Sequence, residues 1–294
     1  MKKITVSECG YKLPIGVPST NGKGLIRDFT LRPYKSSIDR HIADWVETNE
    51  AKYSRPGTLI AARVSKFVSL ICSQFGDTAW ALDKDKNSTP EQELAVYGMW
   101  YADVMYVYFM ARIASLGKDY EYPYICPDKK CAANKGSKIT FDLSTADVDI
   151  LEPNDPLQKW VELKFPFKNR AGRLVKKFRI EPARWHITLQ PDFYGKSADG
   201  VSYTILQDCV RGIDGQDGRY ELTTDEIDEI NHADVINIDR QTKSLAPGID
   251  LQTKIECICG RLIVNPLNWT PDFFFGSSYP ISEISNVSET TSTV

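Results

Sequence analysis

Two cysteine pairs that lie far apart in the chain constrain it most: Cys126-Pro127-Asp128-Lys129-Lys130-Cys131 and Cys257-Ile258-Cys259. Each is a short thiol turn followed by an apolar, strand-like run, Ile139 to Leu143 after the first and Leu262 to Asn265 after the second. Thiol turns backed by strands are how a zinc ribbon is written, and one metal shared between such distant segments obliges the fold to bring them together. Cys126, Cys131, Cys257 and Cys259 can fill a tetrahedral Zn²⁺ shell, which leaves no open position for a substrate or an activated water. The predicted zinc is therefore structural. Four residues separate the first pair and one separates the second, where two is the usual gap. The competing reading is four unrelated buried or surface cysteines. A disulfide framework fits less well, because the remaining Cys9, Cys72 and Cys209 show no pairing pattern and the total of seven is odd.

Along the chain, Gly24 to Pro33 alternates apolar and charged residues and reads as one arm of a hairpin turned at Gly22 and Gly24. Ser36 to Glu50 is helical, with Ile38, Ile42, Trp45 and Val46 on one face. Pro56-Gly57 marks a break, and Leu59, Ile60, Val64, Phe67, Val68, Ile71 and Phe75 then form an amphipathic stripe. Thr89-Pro90-Glu91-Gln92 starts a further helix with a capping box, and that helix is predicted to run to Gly117. It is rich in aromatics, which suits a core helix or one that shows a face to a partner protein.

After the acidic connector Asp147 to Pro156 the chain starts again. Aligned on Pro33 and Pro182, Phe29-Thr30-Leu31-Arg32-Pro33 matches Phe178-Arg179-Ile180-Glu181-Pro182, and Leu25-Ile26 matches Leu174-Val175. Each half continues through helix to a cysteine turn and an apolar strand, the second by way of a helix capped by Thr223 and Glu226. The predicted fold is α+β, with internally duplicated strand–helix–zinc-ribbon halves that share one four-cysteine, zinc-ribbon-like site. Its divisions are an N-terminal hairpin and short helix (1–56), a helical region (57–118), the first zinc-knuckle half (119–150) and a β-rich second repeat (151–222). A helical segment (223–250), the second zinc-knuckle half (251–276) and a flexible tail (277–294) complete it.

The run Asp103-Val104-Met105-Tyr106-Val107-Tyr108-Phe109-Met110-Ala111-Arg112, closed by Gly117 and followed by the Cys126 turn, resembles base-plate hub and hub-assembly proteins of T-even-type contractile-tailed phages. The later parts of that pattern are Leu163 to Pro182, Thr223 to Asn237, Cys257 to Gly260 and Phe273 to Phe275. Relative to it, the first cysteine turn is expanded. The resemblance implies a virion structural protein of the tail base plate, made in the host cytoplasm, that binds other tail and base-plate proteins. An assembly chaperone for the same tail is the alternative it leaves open.

Other classes find less support. The histidines His41, His186 and His232 are scattered, the Gly212 to Gly218 loop lacks the Lys-Ser or Lys-Thr ending of a phosphate loop, and no nucleophile–base pair is apparent, so neither an enzyme nor a small-molecule substrate is expected. The net charge of −3 gives no reason to expect nucleic acid, although a zinc-ribbon nucleic-acid-binding protein could use the basic stretch Lys164 to Lys177. The N-terminus has no apolar run behind its lysines, so a reducing cytosol is the expected site of synthesis. Leu94 to Leu116 is apolar enough to raise the question of a membrane span. It carries Asp103 and Arg112, each costing about 2.5–3.5 kcal/mol near a bilayer centre, so a buried helix is the better reading. Finally, Phe273, Phe274 and Phe275 are consecutive, and neither a strand nor a helix can bury all three on one face. With Trp269 they are the predicted contact to partner proteins, the alternative being an aromatic plug for the protein's own core.

Overall fold

The computed structural model describes residues 1–53, 55–190, 198–216, 218–250 and 252–266. In chain order the elements begin with β1 (Lys2–Thr5), α1 (Val6–Cys9), β2 (Lys12–Pro18), β3 (Leu25–Leu31), α2 (Ser36–Asn49), α3 (Pro56–Ile71), β4 (Cys72–Phe75) and β5 (Thr78–Ala79). Next come α4 (Pro90–Gly98), α5 (Tyr101–Leu116), β6 (Asp119–Tyr124), β7 (Ser137–Asp142), β8 (Asp147–Ile150), β9 (Lys159–Lys168) and β10 (Leu174–Ile180). The last are α6 (Ala198–Cys209), β11 (Val210–Ile213), α7 (Thr224–Asp228), α8 (His232–Leu245), β12 (Gly248–Ile249), β13 (Gln252–Glu256) and β14 (Leu262–Pro266). The fold is mixed α/β. It divides into a larger unit, Met1–Tyr120 with Phe141–Asp250, and a smaller one, Glu121–Thr140 with Leu251–Val294.

Within the larger unit, helix starts follow local chemistry. The Thr89 hydroxyl accepts from Gln92 N–H while Gln92 returns the bond to Thr89 N–H, and Thr223 with Glu226 does the same for α7. The single helix predicted from Pro90 to Gly117 is two. Helix α4 ends at Gly98 because the next residues bond elsewhere: Met99 O accepts from Trp185 N–H (2.7 Å), Trp100 bridges Arg184, and Tyr101 N–H donates to Ala183 O (3.0 Å). Helix α5 then buries every residue from Ala102 to Arg112. Among the described residues no helix is long and apolar enough to cross a membrane.

Three antiparallel sheets surround these helices, ordered β2-β3-β4-β5, β11-β10-β9 and β1-β8-β12. Phe29, Phe75 and Tyr106 pack edge-on or stacked on the first sheet, and Val161, Phe178, Ile180, Leu206, Ile227 and Ile238 form the core under the second. The two hairpins share an irregularity. On β2 the register shifts between Lys12 and Val17, so residues 13–16 leave the ladder with β3. On β9 residues 163–166 do the same against the step from Val175 to Lys177 of β10. Their partner strands also agree: pairing slips between Thr30 and Leu31 on β3, and between Arg179 and Ile180 on β10.

The smaller unit is built of turns and ribbons. Within it, β13 and β14 form a regular hairpin from Gln252↔Pro266 to Glu256↔Leu262, with Ile255 and Ile263 buried opposite one another.

Candidate metal centre

The cysteine turns lie at the ends of ribbons, and local hydrogen bonds fix both. In the first, Asp128 turns the chain: its carbonyl accepts from Cys131 N–H (2.9 Å) and its carboxylate from Lys130 N–H (2.9 Å). Cys126 N–H donates to Ala133 O (3.1 Å), and Asn134 Nδ2 returns to Cys126 O (2.7 Å). The four-residue gap is thus taken up by a side-chain-stabilised turn. In the second, Cys257 O accepts from Gly260 N–H (2.7 Å), and Gly260 sits at φ +77°, where a side chain would be strained.

These turns bring all four thiols together, every Sγ within 4.8 Å of every other. Cys126 Sγ is 3.7 Å from Cys259 Sγ, and Cys131 Sγ is 3.6 Å from Cys257 Sγ. A disulfide needs about 2.05 Å, and all four are free thiols. Four sulfurs at about 2.3 Å from a tetrahedral Zn²⁺ would stand about 3.8 Å apart. Both cross-turn separations meet that spacing, so the donor set fits a thiolate-bound metal ion. Cys126 and Cys257 are buried, while Cys259 reaches the surface.

The electrostatics point the same way. The Cys259 backbone N–H lowers the Cys257 thiol to about 7. Cys131, although the Ala133 N–H favours its thiolate, is pushed up to about 12 by burial and by the neighbouring sulfurs, and burial raises Cys126. Four thiolates this close cannot coexist without a compensating cation. A divalent ion would supply it.

The other predicted site residues, Trp269, Phe273, Phe274 and Phe275, lie outside the described residues, as does the tail 277–294. Arg112, by contrast, has a defined role in the larger unit. Its guanidinium donates to Gly117 O (2.8 Å) and Asp119 O (3.3 Å) and lies over the Tyr120 ring, so it ties the end of α5 to the strand that follows.

Sequence reasoning missed a pair of clamps. Asp103, the third residue of α5, is fully buried and accepts from Ile15 N–H (2.8 Å) and Gly16 N–H (2.9 Å) in the bulge of β2. Asp234, the third residue of α8, accepts from Lys164 N–H (2.8 Å) and Phe165 N–H (2.9 Å) in the bulge of β9. A strand bulge leaves backbone donors without ladder partners, and a carboxylate at a helix N-terminus can take two of them at once. The sequence placed Asp103 inside the single helix predicted from Pro90 to Gly117, so its position in a first turn became visible only once α4 and α5 separated. Two further acids work similarly. Asp214 accepts from Lys176 and Lys177 N–H, and Glu226 is buried and accepts from Arg170 and Thr223 N–H and from the Tyr220 hydroxyl. The first acid of the Gly212 to Gly218 loop thus holds β10.

One protein-family model, described as T4 bacteriophage base plate protein, matches residues 86–275. The match takes in both clamping helices and both cysteine turns. No curated protein and no solved structure matches the chain.

Proposed function

Because the chain belongs to the T4 bacteriophage base plate protein family, we propose that it is a structural component of the tail base plate, with no catalytic role, that works by binding neighbouring tail proteins. The family match carries the reading, since it spans both cysteine turns and implies a location in the virion tail. Cys126, Cys131, Cys257 and Cys259 hold one zinc ion in this proposal. A closed shell of four thiolates supplies no open coordination position and so contributes folding free energy rather than chemistry.

The reading includes an internal duplication of the chain. It is supported by the matched bulges of β2 and β9, the matched slips of β3 and β10, and the two carboxylate clamps. It is further supported by spacing: the distance in sequence from Asp103 to Asp234 equals that from Cys126 to Cys257, and that from Ile15 to Lys164 equals that from Phe29 to Phe178. On this view each copy donates one cysteine pair to the shared metal. The aromatics proposed for partner contact are Trp269, Phe273, Phe274 and Phe275.

Mass spectrometry of purified base plates tests the role, the expected result being this chain at fixed stoichiometry in intact particles. A chain present in infected cells but absent from particles would favour an assembly factor instead. Elemental analysis tests the metal: one zinc per chain is expected for the parent and essentially none for Cys257→Ser. Equal metal in both proteins would remove the zinc from the proposal.

A further inference from the structure

We infer that the outward face of the β9–β10 hairpin is the docking surface for an acidic, extended segment of a neighbouring tail protein. The inference rests on the base-plate reading and on the likeness of the two hairpins. Residues 159–179 carry eight Lys and Arg against the single acid Glu162, a local charge of +7 in a chain whose net charge is −3. On the face turned away from the core, Trp160 pairs with Arg179, Glu162 with Lys177 and Leu174 with Lys168. Trp160 is 48 % exposed and Leu174 46 %, with Phe165 at 45 % beside Lys164 at the bulge. Apolar anchors inside a ring of like charge have the anatomy of a protein interface with a complementary partner.

The first hairpin indicates what kind of segment fits. Strand β2 is the counterpart of β9, yet Leu13 and Ile15 are 0 % and 1 % exposed where Glu162 and Lys164 face solvent. The difference has a visible cause. Residues 147–155 lie over β2: β8 packs on it, Leu151 N–H donates to Pro14 O (2.9 Å), and Leu151 joins Ile15, Trp100 and Ala102 in one core cluster. That covering segment, Asp147-Val148-Asp149-Ile150-Leu151-Glu152-Pro153-Asn154-Asp155, holds four acids and no base. In the second hairpin the corresponding face is basic, and among the described residues no segment covers it as 147–155 covers β2. An acidic extended segment with an apolar anchor would therefore cover it from another chain as 147–155 covers β2 within this one.

Nucleic acid would also meet a basic surface with aromatics. Two observations favour protein. Glu162 stands in the middle of the face with Lys177 3.7 Å away, and the three arginines, which would make the planar contacts to phosphate, are engaged within the protein: Arg179 with Arg211 O and Gly218 O, Arg173 with Gly215 O, and Arg170 over the Tyr220 ring.

The test is incorporation of purified full-length protein into base plates in an extract of cells infected with phage lacking this gene. Two double variants, Trp160→Ser with Leu174→Ser and Lys164→Glu with Lys168→Glu, alter exposed side chains only, and Lys23→Glu in the turn of the first hairpin is the charge control. Melting temperatures close to the parent's are expected for all three. Incorporation should fall about tenfold or more for both double variants, in line with loss of an interface anchor, and stay unchanged for the control. In assembled particles, a carbodiimide, which joins amines to carboxylates, should couple Lys164, Lys168 or Lys176 to Asp or Glu of a different tail protein. Unchanged incorporation of the double variants would overturn the inference. So would cross-links confined to this chain or to a second copy of it, or single-stranded DNA binding that the variants lose while incorporation persists. Failure of the parent itself to enter particles would count against the base-plate reading rather than the hairpin.

Discussion

Replacing Asp103 by Asn tests the clamp that joins α5 to β2. Both carboxylate oxygens accept backbone N–H groups, from Ile15 at 2.8 Å and Gly16 at 2.9 Å, and the side chain has no access to solvent. The amide keeps one oxygen but turns an NH2 toward the second donor, which leaves a buried N–H unpaired at a cost of about 1–3 kcal/mol. A second effect opposes the first and depends on pH. Burial pushes the Asp103 carboxyl up to about 7 from its ordinary 3.8, against the lowering influence of the Ile15 and Gly16 N–H groups and of the Arg27 guanidinium. A carboxyl whose pKa rises on folding favours the fold fully below its unfolded pKa, and this contribution is lost as pH climbs through the folded value. Parent stability should thus decline between about pH 4 and about pH 8, by at most about 4 kcal/mol from this group. Asn does not titrate, so the Asn variant lacks that decline. Urea unfolding followed by tryptophan fluorescence, with parent and variant compared at each pH, isolates the difference because all other titrations cancel. The variant should be about 2–3 kcal/mol less stable near pH 5, and the gap should narrow toward pH 8. A gap that stayed constant from pH 5 to pH 8 would refute the reasoning, since it would mean that the two backbone donors outweigh burial and hold Asp103 ionised throughout.

Gly16→Ala should lower stability by about 1–3 kcal/mol in the same assay, because Gly16 sits at φ +113° and a Cβ would lie 2.9 Å from Ile26 O; a change below a few tenths would show that the bulge can relax. Lys66→Met should cost about 3–5 kcal/mol, since the buried ammonium donates to Asn87, Ser88 and Glu93 at 2.8, 2.8 and 2.6 Å and its loss leaves Glu93 without a counter-charge; a thermal melt matching the parent's would contradict this. If the thiols hold zinc, chelation should speed amide exchange in residues 121–140 and 252–266 together, because one ion joins both turns; acceleration in one ribbon alone would argue against a shared ion.

Chemistry carried by residue type was legible in the sequence, and geometry set by distant pairing was not. Four thiols in two strand-backed turns announce themselves. That gaps of four and one residues can still converge depends on the Asp128 turn and on Gly260, local devices that spacing alone does not reveal. Periodicity located the hairpins and most helices, yet it ran α4 and α5 together, because Met99 and Trp100 leave the helix only to bond Trp185 and Arg184, far along the chain. Strand β2 is covered on both faces because residues 2–5, 147–150 and 248–249 assemble a third sheet beside it, and no short stretch signals that assembly. The buried acids were the hardest to read. Glu226 looks like part of the solvated first turn of a helix, where the dipole alone would explain it, and Asp234 falls inside the helix that the sequence carries on from Thr223. Their burial follows from the strands they face. A bulge turns consecutive N–H groups out of the ladder, water cannot reach them in the core, and a carbonyl from a neighbouring strand could accept from only one comfortably. A carboxyl group has an oxygen for each, and an acid in the first turn of a helix sits at the positive end of its dipole. The same residue therefore closes both unpaired donors of a bulge, which accounts for the acid at the third helical position in both α5 and α8.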